Sequence, residues 1–265
     1  MGPDAIAALS GAEWIDLTLT LSGELPSFWP GHTPYQRLPW GFQAPKFMSR
    51  IVAYQTGLLI IDEHSGTHFD APCHFIPPPD SGLPNAGPAG RVTGDQVPPE
   101  QFCGPAVVVD VSGLVGSTPA GMSPILGPDH LERWEAANGR LEPGDVVLLH
   151  SGWDRFYVRG DEGMAYAADI LVAGSRPAWP SPSVEFAEYI HQRGVRTLGT
   201  DAPSIGAAQD GFPIHVYGLG REMAFLEGLA NLARLPARGA YFIFLPLKVE
   251  GSSGAPGRAI ALVPR

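Results

Sequence analysis

Short apolar runs separated by glycine and proline set the pattern of this chain. They are WIDLTLTL (14–21), RIVAYQTGLLIIDEH (50–64), PAVVVDVS (105–112), DVVLLHSGW (145–153), RTLGTDAP (196–203) and AYFIFLPLKVE (240–250). Several are continuously apolar rather than alternating, which predicts strands covered on both faces. Helical periodicity is sparser. GPDHLERWEAANG reads as one helix, with Asp129 as cap and Gly139 as stop; SPSVEFAEYIHQRG reads as another, capped by Ser181 or Ser183, with Gly194 after its end. Each precedes a strand, so the expected fold is mixed α/β, a single domain over residues 1–265 with a layered β core.

Three segments read as long loops: 77–100 (PPPDSGLPNAGPAGRVTGDQVPPE), 113–128 (GLVGSTPAGMSPILGP) and 173–183 (AGSRPAWPSPS). Loops of this length in a compact domain are usually lids, binding loops or insertions. The first begins just after His74, at the end of a histidine-dense stretch, and is read as an active-site loop covering it. A surface insertion is the alternative.

Composition narrows the function classes. With 265 residues, a formal net charge of −10, only Lys46 and Lys248 as lysines and no basic run, a nucleic-acid surface or a polybasic membrane patch is not expected. No apolar run reaches the roughly 18 residues of a spanning helix, and MGPDAIAALSGAEW lacks the basic and apolar regions of an export signal. A soluble, cytoplasmic protein is expected. Cys73 and Cys103 read as free thiols, although a single bridge between them stays open.

The stretch HSGTHFDAPCH (64–74) holds three of the eight histidines. His64 and His68 have the spacing of a helical zinc-protease pair. Ser65 stands where that motif needs a glutamate, however, and Gly66 and Pro72 disfavour a helix. In an extended chain the even-numbered His64, His68, Asp70 and His74 share one side. A straight strand would still hold His64 and Asp70 roughly 20 Å apart, whereas ligands of one ion lie about 2.0–2.2 Å from it. The chain must therefore bend, and Gly66 is the place. His64, His68 and Asp70 are then a ligand set suited to Zn²⁺ or Mn²⁺. The competing reading is that these histidines merely satisfy loop hydrogen bonds. Cys73 faces the other way and is expected to pack.

The same residues resemble a known signature, H-x-G-T-H-x-D-x-P-x-H, of the metal-dependent cyclase-like hydrolases, a family that includes kynurenine formamidases, isatin hydrolases and a trans-dienelactone hydrolase. GTDAPSI (199–205), HVYGLGREMAFLEGLANLARLP (215–236) and LPLKVEGSSGAPGRAIA (245–261) resemble later blocks of that family. The resemblance implies a barrel-like β core flanked by helices, of the swivelling β/β/α type. It implies one or two metal ions, with His64, His68 and Asp70 at the first and His215 and Glu227, twelve residues apart, completing a second. Taken alone, His215 reads as a loop histidine and Glu227 as a helix-surface charge. Isatin hydrolase is similar in length but carries glutamine at the Glu227 position and uses one manganese ion, so Glu227 points to two ions, with Asp70 as a bridge. His74 is implied as the proton-transfer residue. Homodimers or homotetramers are implied as well.

The expected activity is hydrolysis of a cyclic amide or lactone by metal-activated water, the ring of His74 carrying the proton. Arylformamidase activity on an N-formylkynurenine-type substrate is one alternative; a metal-containing binding protein without turnover is another. No nucleophile elbow or P-loop is present. Phe28, Trp29, Trp40, Phe75, Trp153 and Trp179 are candidates to line a pocket for a flat, small-molecule substrate, or else to pack in the core. His150 is read as a hydrogen-bonded strand end and Asp201 as a loop anchor; His32, His130 and His191 are read as surface or structural residues.

Overall fold

The computed structural model describes residues 11–43, 46–47, 50–51 and 54–265. In chain order its strands are β1 (Glu13–Asp16), β2 (Gln36–Gln43), β3 (Lys46–Phe47), β4 (Arg50–Ile51), β5 (Tyr54–Ile60), β6 (His68–Asp70), β7 (Cys103–Asp110), β8 (Ile125–Leu126), β9 (Val146–His150), β10 (Ser181–Pro182), β11 (Thr197–Thr200), β12 (Ala224–Glu227), β13 (Arg238–Pro246) and β14 (Gly254–Val263). The helices are α1 (Pro128–Asn138), α2 (Ala168–Leu171), α3 (Val184–His191) and α4 (Phe212–Leu219).

Seven strands close a barrel in the order β14, β13, β7, β9, β11, β12, β6 and back to β14. β7, β9, β11 and β12 run parallel to one another. β6 is antiparallel to both of its neighbours, β12 and β14. β1 adds to the far end of β14. The expected mixed α/β fold with a barrel-like core is what the chain adopts.

Alternation along each strand separates two cores. Ala106, Val108, Val146, Leu148, Ala224 and Leu226 join Phe69, Phe242 and Phe244 in one cluster, to which every barrel strand but β11 contributes. The intervening Val107, Val109, Val147, Leu149 and Phe225 pack in a second cluster, against Leu131 and Trp134 of α1, Phe186 and Ile190 of α3, and Ile214 and Leu219 of α4. The central strands are apolar throughout because helices cover the outer face while side chains fill the inner one.

α1 is capped by Gly127, not Asp129: Pro128 takes the first helical position, where its missing N–H costs nothing. Gly139 ends it with φ +87°. α3 starts at Ser183, whose hydroxyl accepts from the Phe186 N–H at 3.2 Å. The expected buried strand at 50–64 differs most. Among the described residues β5 pairs only with β2, as a hairpin, and Leu38, Tyr54, Leu58, Leu59 and Ile60 are 38–54% exposed. No helix among the described residues is long and apolar enough to cross a membrane.

Candidate metal centre

The histidine-rich stretch bends where predicted. Gly66 has φ +61°, and a Cβ there would come 2.6 Å from Leu21 Cδ2. The Gly66 N–H donates to the Ser27 carbonyl at 2.7 Å. Thr67 latches the turn, its hydroxyl donating to the Gly228 carbonyl and accepting from the Leu19 N–H. Beyond the bend, β6 places Phe69 in the barrel interior, which turns His68 and Asp70 to the outer face. Glu227 stands opposite His68 on β12. His215 comes from α4, so it is a helix residue and not a loop one, and Glu227 ends a buried strand instead of sitting on a helix surface.

His68 Nε2 lies 3.6 Å from Asp70 Oδ1 and 3.4 Å from Glu227 Oε2. His215 Nε2 lies 3.5 Å from Asp70 Oδ2 and 3.3 Å from Glu227 Oε1. Ligands about 2.0–2.2 Å from one ion in tetrahedral or octahedral array are separated by about 3.0–3.6 Å, which brackets these distances. Each of these histidines also sets Nδ1 against a backbone carbonyl, Gly66 O at 2.9 Å for His68 and Gly211 O at 2.7 Å for His215. An N–H donated there leaves the Nε2 lone pair free, as a metal-ligating histidine requires. His64 Nδ1 reaches Asp70 Oδ1 at 2.8 Å. Asp70 Oδ2 is buried with no hydrogen-bond partner among the described residues. The five residues therefore fit Zn²⁺ or Mn²⁺, with Asp70 facing both halves of the cluster.

Charge leads to the same conclusion. Asp70 and Glu227 are buried together, and among the described residues neither lysine nor arginine lines the cleft around them. Burial opposes ionisation of both, yet the histidines hold both carboxyls low, Asp70 well below the usual range. Burial also opposes charge on His68 and His215, but the two carboxylates overcome it and push His215 up to about 10. Without an ion, two buried negative charges must be met by protonated histidines; a divalent cation does the same without protons.

His74 belongs to a 3-10 turn (Pro72–His74), not to an extended strand, yet it reaches the site. Its ring stacks on His64, and a ring nitrogen lies within metal-sharing range of His64 and Asp70. Burial, as the largest cause, pushes His74 down to about 4.

The cleft has a volume of about 230 Å³, and beyond the polar cluster it is lined by Phe28, Trp29, Phe75 and Tyr166. Nothing from 77–100 lines it. That segment forms 3-10 turns whose Ala89 and Val97 pack into the two cores, while 78–85 is exposed. Residues 26–32, with Ser-Phe-Trp-Pro at their centre, form the rim instead. His32, read as a surface or structural residue, is on that rim 3.4 Å from Asp62. Tyr166 carried no signal in the sequence. Trp153 and Trp179 are buried and donate to Tyr166 O and Gly206 O, so they pack behind the cleft. The side chain of Trp40 lies outside the described residues. Asp201 anchors a loop, accepting from the Ser151 and Gly152 N–H groups, and His150 pairs with Asp110. Both cysteines are free, and Cys73 packs against the barrel core.

The chain is similar to characterised hydrolases over most of its length. An isatin hydrolase from Roseibium aggregatum is 35% identical over 213 residues, 78% of this chain and 74% of that protein. A kynurenine formamidase from Erythrobacter litoralis is 29% identical over 241 residues, 90% and 89% of the two chains. The solved structure of isatin hydrolase A from Labrenzia aggregata bound to benzyl benzoate superposes with a TM-score of 0.77 at 29% identity, covering 99% of this chain and 98% of that one. The family model Cyclase, described as "Putative cyclase", matches residues 15–207. The chain belongs to the cyclase family, whose similar members named above are hydrolases of amide C–N bonds.

Proposed function

We propose that this protein is a metal-dependent hydrolase that opens a cyclic amide or lactone of isatin-like shape. The observation that carries the proposal is the convergence of His64, His68, Asp70, His215 and Glu227 at the floor of a cleft walled by aromatic rings, with His74 beside them. His64, His68, Asp70, His215 and Glu227 would hold Zn²⁺ or Mn²⁺, which when bound would supply Lewis acidity to a carbonyl and to water. His68 and His215 present Nε2 because backbone carbonyls hold their Nδ1 protons. His74, uncharged above about pH 4, takes a proton from the water and returns it to the leaving nitrogen or oxygen. The water oxygen bonds to the carbonyl carbon as the ring C–N or C–O bond breaks, and the opened product carries both the new carboxylate and the freed amine or alcohol. Phe28, Trp29, Phe75 and Tyr166 suit a flat ring.

The presence of Glu227 supports two ions per chain. Arylformamidase activity is the second reading, favoured by the near full-length match to a kynurenine formamidase. The association of copies inferred from the family is supported by the apolar face of the β2–β5 hairpin.

The test is a hydrolysis screen of isatin, N-formylkynurenine, a dienelactone and cyclic imides after loading with Zn²⁺ or Mn²⁺. Opening of the ring substrates supports the first reading, and turnover of N-formylkynurenine alone supports the second. Metal uptake without turnover of any of them supports a binding protein.

A further inference from the structure

Three histidines face the carboxylates of the site, and each has its second ring nitrogen held. Backbone carbonyls hold those of His68 and His215. His64 is different: it turns Nδ1 to Asp70, and its Nε2 lies 3.0 Å from Ser253 Oγ. Ser253 stands at the turn before β14, 189 residues away in sequence. Its hydroxyl lies 2.7 Å from Glu63 Oε2, which also accepts from the Ser253 N–H at 2.8 Å.

The direction of each hydrogen bond follows from what each group can do. A carboxylate only accepts, so the single hydroxyl hydrogen of Ser253 goes to Glu63. Ser253 Oγ then has only lone pairs to offer His64, and Nε2 must carry the hydrogen. In the neutral ring Nδ1 is thereby left as the basic nitrogen, 2.8 Å from an anionic oxygen. Two acceptors at that distance repel unless a proton or a metal ion lies between them, and a bound ion takes the place of that proton.

The ring is also held in place. A Cβ on Gly254 would come 2.8 Å from His64 Cε1, and His74 stacks on the ring at 3.9 Å between centroids. The turn bearing Ser253 is fixed in turn: Ser253 O accepts from the Ala71 N–H, and Asp95 Oδ1 accepts from the Gly251 N–H.

We propose that Ser253 and Glu63 are positioning residues that fix the Nε2–H tautomer of His64, so that Nδ1 is its metal-binding nitrogen; this rests on the metal-site reading above. Of the three nitrogen holds, only this one is made by side chains, and Ser253→Ala removes it without removing a backbone hydrogen bond.

The experiment compares the unaltered chain with Ser253→Ala, Glu63→Ala and Ser253→Thr. The affinity for Co²⁺ is measured by chelator competition and the visible d–d spectrum of the bound ion is recorded, with the thermal midpoint of each metal-free protein as a folding control. Outer hydrogen-bond partners of ligating histidines typically contribute about 10–100-fold in affinity. Ser253→Ala and Glu63→Ala are expected to weaken Co²⁺ binding by that factor and to alter its spectrum at an unchanged metal-free midpoint. Ser253→Thr, which keeps a hydroxyl, is expected to restore both. An unchanged affinity and spectrum in Ser253→Ala would overturn the proposal, as would a Ser253→Thr variant as weak as Ser253→Ala. Failure of the unaltered chain to take up Co²⁺ would overturn the metal-site reading itself.

Discussion

The ring of His74 lies on the ring of His64, centroids 3.9 Å apart and planes 26° from parallel. The proposed proton carrier is thus placed directly against a candidate ligand. His74→Ala is expected to keep its metal and to lose hydrolysis by about 10²–10⁴-fold, the usual contribution of a positioned acid–base group. Metal content and turnover measured on the same preparation check this. If metal is lost together with activity, His74 is a ligand, and if turnover is unchanged it carries no proton.

Glu227 accepts from the Ile205 N–H at 2.7 Å and from Ser204 Oγ at 3.1 Å. Glutamine can keep these contacts through its carbonyl oxygen while losing the charge. Glu227→Gln is expected to reduce bound metal from near two ions per chain to near one, as read by elemental analysis. A stoichiometry of two in the variant would remove Glu227 from the ligand set.

Metal uptake should depend on pH with a defined sign. In the metal-free chain burial opposes the charged forms of His68 and His215, but Asp70 and Glu227 raise both, His215 to about 10. Only neutral imidazole binds an ion, so below these values each ligation expels a proton. Apparent affinity therefore rises with pH, by up to about tenfold per unit for each proton expelled. Chelator competition at several pH values, paired with proton release on titration, measures it; an affinity flat with pH between about 6 and 8 would contradict it.

The bend at Gly66 has a cost if altered. Gly66→Ala forces a side chain into φ +61° and against Leu21. Left-handed backbone costs an L-residue about 1–2 kcal/mol. Thermal or urea unfolding should show at least that loss, and metal affinity should fall, because His64 and Asp70 meet only through this turn.

Leu38 and Leu58 are directly paired across the β2–β5 hairpin, so they share a face, with Ile60 two residues on. A two-stranded hairpin is marginal alone in water. The unaltered chain is expected to sediment as a dimer or tetramer and Leu58→Asp as a smaller species. An unaltered chain that sediments as a monomer would dismiss the association.

The sequence made some of this legible and hid the rest for identifiable reasons. A glycine between histidines, with no helix allowed, left the bend at Gly66 as the way to bring His64 and Asp70 together. Continuous apolar runs revealed the central barrel strands, because both faces of those strands are covered. The same signal misled at GLLII (57–61), since an apolar run does not say what covers it. FPIHVYGL, which became α4, has no polar face to mark a helix, so His215 looked like a loop residue. AFLE is too short to announce a strand. The proline- and glycine-rich 77–100 suggested a lid, and its composition did not announce the 3-10 turns that pack Ala89 and Val97 into the cores.

β6 is only three residues long, yet it is hydrogen-bonded on both sides and is the seam at which the barrel closes. Moving its register by one residue would exchange Phe69 for His68 and Asp70 in the interior. A carboxylate and an imidazole would then stand where the barrel packs phenylalanines, so the seam admits one alignment. The three residues His68, Phe69 and Asp70 thus specify at once how the barrel shuts and where its chemistry faces.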